Sequence, residues 1–169
     1  DFIEKVKQSQ INWIDRKEWI DITYQIEGIK DGVTIATTRP DTNFGATFIV
    51  LAPEHELVSK LLSGEIKTDE DLAAIKKYVI AARNKSELER QKEVTGRDKT
   101  GVFTGLYAIN QLTQKKMPIW VTDFVLNTVG TGAVVGVPGH DIRDFEFATQ
   151  FGLEVIRVVV GSDGKTGEI

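Results

Sequence analysis

Two short stretches hold most of the side chains that could do chemistry. The first, TTRPDTNFG at 37–45, sets three threonines, an arginine and an aspartate between two apolar segments. A threonine carries a hydroxyl that donates and accepts beside a methyl that takes up room, so one side chain can hold a polar group and refuse a branched one. Pro40 drives Arg39 out of helical geometry and sets a turn. Asp41 is placed to accept from nearby backbone N–H groups. A hydroxyl-rich turn is the plain reading, and a wall built for a polar ligand is the other.

The second stretch is GTGAVVGVPGHDIRD at 130–144. Pro138 and Gly139 end a strand, and Asp141 reads as the N-cap of a helix beginning at Ile142. Asp144 then falls at the third helical position, where capping is the plain role. A carboxylate at a strand-to-helix corner also suits a ligand ammonium. His140 is available as a base, although a lone histidine before a cap is more often structural. The G-x-G-x-x-x-G spacing runs into Val-Pro rather than a helix and does not fit a dinucleotide-binding loop. A metal site from His140, Asp141 and Asp144 would lack a second histidine. A third stretch, VFTGLYAINQLTQKKMPIWV at 102–121, reads as an apolar-aromatic hairpin with Gly105 and a basic turn at Lys115 and Lys116.

Composition narrows the chemistry. The 169 residues include no cysteine and two histidines, His55 and His140. Disulfides, thiolate nucleophiles and thiolate-bound zinc are therefore excluded. The formal charge of -4 argues against a surface devoted to a nucleic-acid backbone, though a single terminal nucleotide needs few cations. No apolar run approaches the roughly 20 residues that span a bilayer, and the first residues lack the layout of a secretory signal. A cytoplasmic, monomeric protein without membrane contact is expected. The chain does not begin with Met and reads as a piece of something longer.

The elements that must position these residues are many short strands and two or three helices. WIDITYQI at 19–26 alternates as a half-buried strand, Lys30-Asp31-Gly32 turns it, and VTIATT at 33–38 returns. ATFIVLA at 46–52 reads as a buried strand. A helix follows Pro53, with Leu57, Val58, Leu61 and Leu62 on one face and Gly64 as its stop. A second helix opens on acids and places Leu72, Ile75, Val79 and Ile80 at helical spacing. SELERQKEVTGRDKTG at 86–101 reads as a short exposed helix and a solvated loop. GVFTGLYAI, MPIWV, DFVL and GAVVGVP are strand candidates, DIRDFEFATQFG is a helix, and LEVIRVVV at 153–160 is a last strand. The tail at 161–169 contains GKT, but its glycine spacing is not that of a phosphate-binding loop. The sum is an α+β fold with a bent, barrel-like mixed sheet and peripheral helices. It reads as a single domain over 1–169, with a lead-in at 1–15, a core at 16–160 and a tail at 161–169.

Six motifs in order carry a resemblance: TTRPDT followed closely by FG; APEHELV; SELERQ; KTGVFTGLYAINQLT; PIWV ahead of VL; and GTGAVVGVPGHDIRDFEFA. Together they resemble the editing domain of leucyl-tRNA synthetase, an insertion within a class I catalytic domain, over nearly the whole chain. Valyl- and isoleucyl-tRNA synthetases carry related domains and remain alternatives, as does a non-catalytic tRNA- or nucleotide-binding module. The Asp41-Thr42 pair and the GHDIRD-FEFA continuation look more like the leucyl enzyme.

The resemblance implies post-transfer editing: hydrolysis of the ester that joins norvaline, isoleucine or methionine to the 3′ terminal adenosine of tRNA(Leu). A synthetic pocket made for leucine rejects such near-isosteres by only ~1–3 kcal/mol, so a second sieve is needed. On this likeness Thr42 blocks the branched leucine γ-carbon, and Thr37 and Thr38 meet the ester and its transition state. Arg39 lies near the terminal nucleotide, Asp144 pairs with the substrate ammonium, and Asp141 supports it. Val135, Val137, His140 and Arg143 complete the implied substrate-binding set. Attack would come from an ordered water assisted by a ribose hydroxyl. No metal or organic cofactor is implied in this domain, while the parent synthetase, its expected partner, would use ATP and Mg. Val129, Val135, Asn43 and Gly136 depart from the family pattern, where an aromatic, a methionine, an apolar residue and an alanine are common. Val135 and Gly136 are expected to reshape the amino-acid pocket.

Overall fold

The computed structural model describes Glu4, Val6, Lys7, Ser9 and residues 18–86, 89–90, 99–128 and 130–160. Most of the lead-in at 1–15, residues 16–17, residues 87–88 and 91–98 of the charged stretch, Val129 and the tail at 161–169 lie outside the described residues.

Alternating residues with a buried face make the first hairpin, β1 (Ile20–Ile26) and β2 (Gly32–Thr37). Their antiparallel register sets Ile20 opposite Thr37 and Tyr24 opposite Val33. Pro40 then opens a 3-10 turn, Pro40–Gly45. This is where a fixed φ and a missing donor cost nothing. The turn leads into β3 (Phe48–Leu51), four residues buried on both faces. β4 (Gly101–Ile109) and β5 (Lys116–Thr122) form the expected hairpin, with a register irregularity between Phe103 and Tyr107 where Gly105 has φ +78°. The short β6 (Ala133–Gly136) completes a six-stranded sheet in the order β2-β1-β4-β5-β3-β6.

Among the described residues only the β3–β5 pairing is parallel. The two end strands, β2 and β6, come back into contact, so the sheet curls toward a barrel. The mixed, bent α+β architecture is as expected.

Three helices with defined ends pack around the sheet. α1 (Glu56–Ser63) is capped by the His55 ring, whose Nδ1 accepts from Leu57 N at 3.1 Å, and ends at left-handed Gly64. α2 (Leu72–Arg83) is capped by Asp71, which accepts from Ala73 N and Ala74 N. It buries Ile75, Val79 and Ala82, whereas Leu72 and Ile80 stay in solvent. α3 (Ile142–Phe151) starts from the N-cap Asp141, as its sequence predicted.

The interior divides in two. One cluster is mainly aliphatic and lies between the sheet, α1 and α2; the other is aromatic and underlies α3. There Phe147 stacks on Phe48 at 5.2 Å and meets Trp120 edge-on at 5.7 Å.

Three expectations need correction. LEVIRVVV is extended but pairs with no strand, because its N–H groups at Val158 and Val159 donate to His140 Nε2. DFVL bends instead of forming a strand: Asp123 is buried against the Lys85 ammonium at 2.6 Å and Phe124 packs on Phe147. The charged stretch is not a solvated face throughout. Arg90 is buried, forking onto Glu54 and donating to Ala82 O, and Lys99 is buried with its ammonium 3.3 Å from Glu146.

Candidate functional site

The ends of β2 and β6 lie side by side, and each runs directly into a helical turn. Between them is a cleft of about 460 Å³. Its lining includes all ten residues expected to contact substrate: Thr37, Thr38, Arg39, Thr42, Val135, Val137, His140, Asp141, Arg143 and Asp144. Trp19, Lys99 and Phe124 line it too, and nothing in their local sequence marked them for it. Their places are set by β1 pairing and by contacts with α3.

The first wall is the β2 end and the 3-10 turn. Thr37 Oγ1 accepts from Arg39 N at 3.0 Å, which leaves its proton to donate elsewhere. Thr38 is exposed. Thr42 is buried, and its hydroxyl donates to Arg39 O at 2.9 Å, tying the side chain back into the turn. Asp41, expected to serve the backbone, also grips the Arg39 guanidinium through both oxygens, at 2.9 and 2.8 Å. That pair raises the arginine and, from the other side, holds the Asp41 carboxyl below the usual range. Both partners are exposed.

The second wall is the β6 end, the Val137–Asp141 turn and the start of α3. Asp141 Oδ1 accepts from Arg143 N at 2.8 Å and Asp144 N at 3.3 Å, and its other oxygen meets Arg143 Nη2 at 2.9 Å. Burial would push this carboxyl up, but the Arg143 guanidinium and the capping N–H groups hold it below its usual range. Asp144 does not complete a capping box. Its Oδ2 reaches back across the turn and accepts from Val137 N at 2.9 Å. Burial pushes Asp144 up to about 7 against that hydrogen bond, and the neighbouring Asp141 charge adds to the rise. Among the described residues Asp144 has no ion pair.

His140 does not face the cleft as a free base. Its Nε2 accepts from both Val158 N (3.0 Å) and Val159 N (3.2 Å), which puts the ring proton on Nδ1. Two of the family departures are also accounted for. A methyl at Gly136 would run into the Phe48 ring, and Gly136 is not among the cleft-lining residues. Its change therefore bears on core packing, not on the pocket as expected; Val135 does line the cleft. Asn43 is buried, with Tyr24 Oη donating to its Oδ1 and Asn110 Nδ2 donating to its carbonyl at 3.0 Å.

The cleft thus offers a carboxyl that forms no ion pair among the described residues, two hydroxyl groups at a strand end, and valine side chains. That set can seat an ammonium, an ester or hydroxyl group and a short apolar chain. Among the described residues no three His, Asp or Glu side chains converge as metal ligands. No described helix is long and apolar enough to cross a membrane.

The family model described as "Leucyl-tRNA synthetase, editing domain" matches residues 11–169. The chain belongs to the leucyl-tRNA synthetase editing-domain family. A leucine–tRNA ligase of Herpetosiphon aurantiacus is 50% identical over 163 residues, covering 96% of this chain and 19% of that protein. One of Chlorobium phaeovibrioides is 48% identical over 161 residues, covering 94% of this chain and 19% of that protein. The chain therefore spans about a fifth of the length of these relatives. A solved ternary complex of Agrobacterium radiobacter K84 LeuRS with tRNA and LeuAMS matches with a TM-score of 0.70 and 38% identity, over 95% of this chain and 18% of that one. The editing-domain likeness read from six motifs is thus borne out, and the leucyl identity is favoured over the valyl and isoleucyl alternatives.

Proposed function

We propose that this domain hydrolyses the ester of mischarged aminoacyl-tRNA(Leu), releasing norvaline, isoleucine or methionine and sparing leucine. The observation that carries the reading is Asp144. It is a carboxyl held at a cleft wall by one backbone N–H, without an ion-pair partner among the described residues, opposite the threonine-rich turn. A buried carboxyl of this kind is poised for a substrate ammonium, whose arrival favours the ionised form and offsets the cost of burial.

In this reading Thr42, tied to the turn, stands where the leucine branch would go. Thr37 and Thr38 lie at the ester, with Thr37 keeping a proton to donate. Val135 and Val137 line the amino-acid side chain, and Arg39 meets the terminal nucleotide. Asp141 and Arg143 satisfy one another and keep Asp144 as the carboxyl that takes the ammonium. His140 supports the wall by pinning 158–159.

There is no side-chain nucleophile with an adjacent base in the cleft. Hydrolysis then falls to a water, positioned by the bound ester and a ribose hydroxyl, with N–H and hydroxyl donors for the oxyanion. No cofactor enters this reaction; ATP and Mg would serve the synthetic site of the parent enzyme. The 3′ adenosine of tRNA(Leu) and the remainder of the synthetase are the proposed partners, in line with the tRNA in the related complex.

The test uses the full-length synthetase and norvalyl-tRNA(Leu). Asp144→Ala is expected to abolish deacylation. Full activity in that variant would remove Asp144 from the mechanism, and tRNA binding without hydrolysis in the parent would favour a binding module.

A further inference from the structure

The turn that carries Thr42 is held from beneath by a small buried polar network. Tyr24, in the middle of β1, is fully buried, and its Oη donates to Asn43 Oδ1. Asn43, next to Thr42, is only 5% exposed. Its carbonyl accepts from Ala46 N at 3.2 Å and from Asn110 Nδ2 at 3.0 Å. Asn110 is itself fully buried and fixed in the β4–β5 connection, with its Oδ1 accepting from Leu112 N and its backbone N donating to Lys115 O. The 3-10 turn is thereby pinned to two elements that otherwise do not touch the cleft: β1 and the tip of the β4–β5 hairpin.

Tyr24 is pushed up to about 12 by burial, so it is a neutral donor throughout the working pH range. A buried phenol and a buried amide that satisfy one another hold a fixed geometry, because either one left alone bears the full cost of desolvation. Discrimination by one branch of an aliphatic chain is worth only about 10–200-fold and depends on where the excluding group stands. The support of that group is then part of the sieve.

We infer that Tyr24 and Asn43 are positioning residues for leucine exclusion: their hydrogen bond sets how far the Thr42 turn projects into the cleft. Neither needs to touch substrate through its polar atom. The inference rests on the deacylase reading proposed above.

The experiment compares kcat/KM for norvalyl- and leucyl-tRNA(Leu) in the full-length synthetase. Tyr24→Phe removes one oxygen and leaves the ring in place, so folding should survive, and a melting curve checks it. Hydrolysis of leucyl-tRNA(Leu) is expected to rise about tenfold, with norvalyl-tRNA(Leu) changing by less than about threefold. The double variant Tyr24→Phe/Asn43→Leu strands no acceptor but also lacks the hydrogen bond, so hydrolysis of leucyl-tRNA(Leu) is expected to stay raised about tenfold. A lowered melting temperature with an unchanged ratio in Tyr24→Phe would reduce the pair to a structural role and overturn the inference alone. Recovery of leucine exclusion in the double variant would overturn it as well, since the bond would then be dispensable. A parent enzyme that leaves norvalyl-tRNA(Leu) intact would overturn the deacylase reading, and this inference with it.

Discussion

The two walls of the cleft carry the same ion pair in opposite chain order. In the first, Arg39 precedes Asp41; in the second, Asp141 precedes Arg143; each guanidinium forks onto its carboxylate two residues away. The first pair lies in solvent and fixes the outer edge of a turn. The second pair sits at a helix start, where Asp141 also accepts the first N–H groups of α3. Its consequence falls on a neighbour. Arg143 forks onto Asp141, while burial, aided by the Asp141 charge, holds Asp144 up to about 7, one turn from a carboxyl held down. Similar residues at similar spacing thus do different work because one pair is wet and the other is built into a cap.

The sharpest way to break this contrast is to remove each aspartate of the second wall in turn. Asp144→Ala is expected to lower deacylation of norvalyl-tRNA(Leu) by roughly 10²–10³-fold, the loss typical of truncating one side of a desolvated charge pair. Chemical denaturation should find its stability near that of the parent. Asp141→Ala is expected to cost about 1–2 kcal/mol of stability through the lost cap, and to free Arg143 to compete for Asp144. If the two variants lose activity and stability in parallel, the division of labour is wrong.

Next in size is the sieve on the opposite wall. Thr42→Ala should let leucyl-tRNA(Leu) be hydrolysed about 10–100-fold faster than in the parent, read as release of labelled leucine. Continued resistance would move the exclusion elsewhere in the cleft.

A smaller effect separates the two carboxyls by pH. Below about 4 Asp144 is protonated in both folded and unfolded chains. From there to about 7 the unfolded chain releases a proton that the folded chain keeps, so this group takes stability away as pH rises. Asp144→Asn has no proton to release. Relative to the parent it should gain ~1–3 kcal/mol between pH 4 and pH 8, less than for a fully enclosed carboxyl because the cleft admits water. A difference flat with pH would place Asp144 in ordinary solvent.

The smallest change is expected at the wet pair. Asp41→Asn should leave the unfolding midpoint almost unchanged, because an exposed ion pair is screened by water, and any loss of activity should appear in KM through a loosened Arg39. A large fall in kcat would give the first wall a catalytic charge.

What the sequence disclosed followed the range over which each signal acts. Period-two alternation placed β1 and β2, and the Asp141 cap and the Gly64 stop were legible because their partners lie within a few residues. The cleft residues were found because two local motifs happen to meet at neighbouring strand ends. Long-range partners were not legible. Arg90 and Lys99 read as solvated because Glu54 and Glu146 are far along the chain. LEVIRVVV has the composition of a strand, and its N–H groups at Val158 and Val159 go to the His140 ring, 18 and 19 residues away in the chain. Asn43 looked arbitrary until Tyr24, on another strand, supplied its donor.

The place of β3 has a consequence in time. The Thr42 turn leads into β3, while β6, which leads into α3 and Asp144, is paired along its other edge. Its remaining neighbour, β5, lies far along the chain and runs parallel to it. Pairings of that kind form slowly, since a long loop must close before any bond is gained. β3 ties both walls to one strand, so a late β3–β5 pairing would bring the sieve and the carboxyl to their stations in the same step. On the proposed reading, a chain caught before that step is silent toward correctly charged tRNA instead of destructive to it.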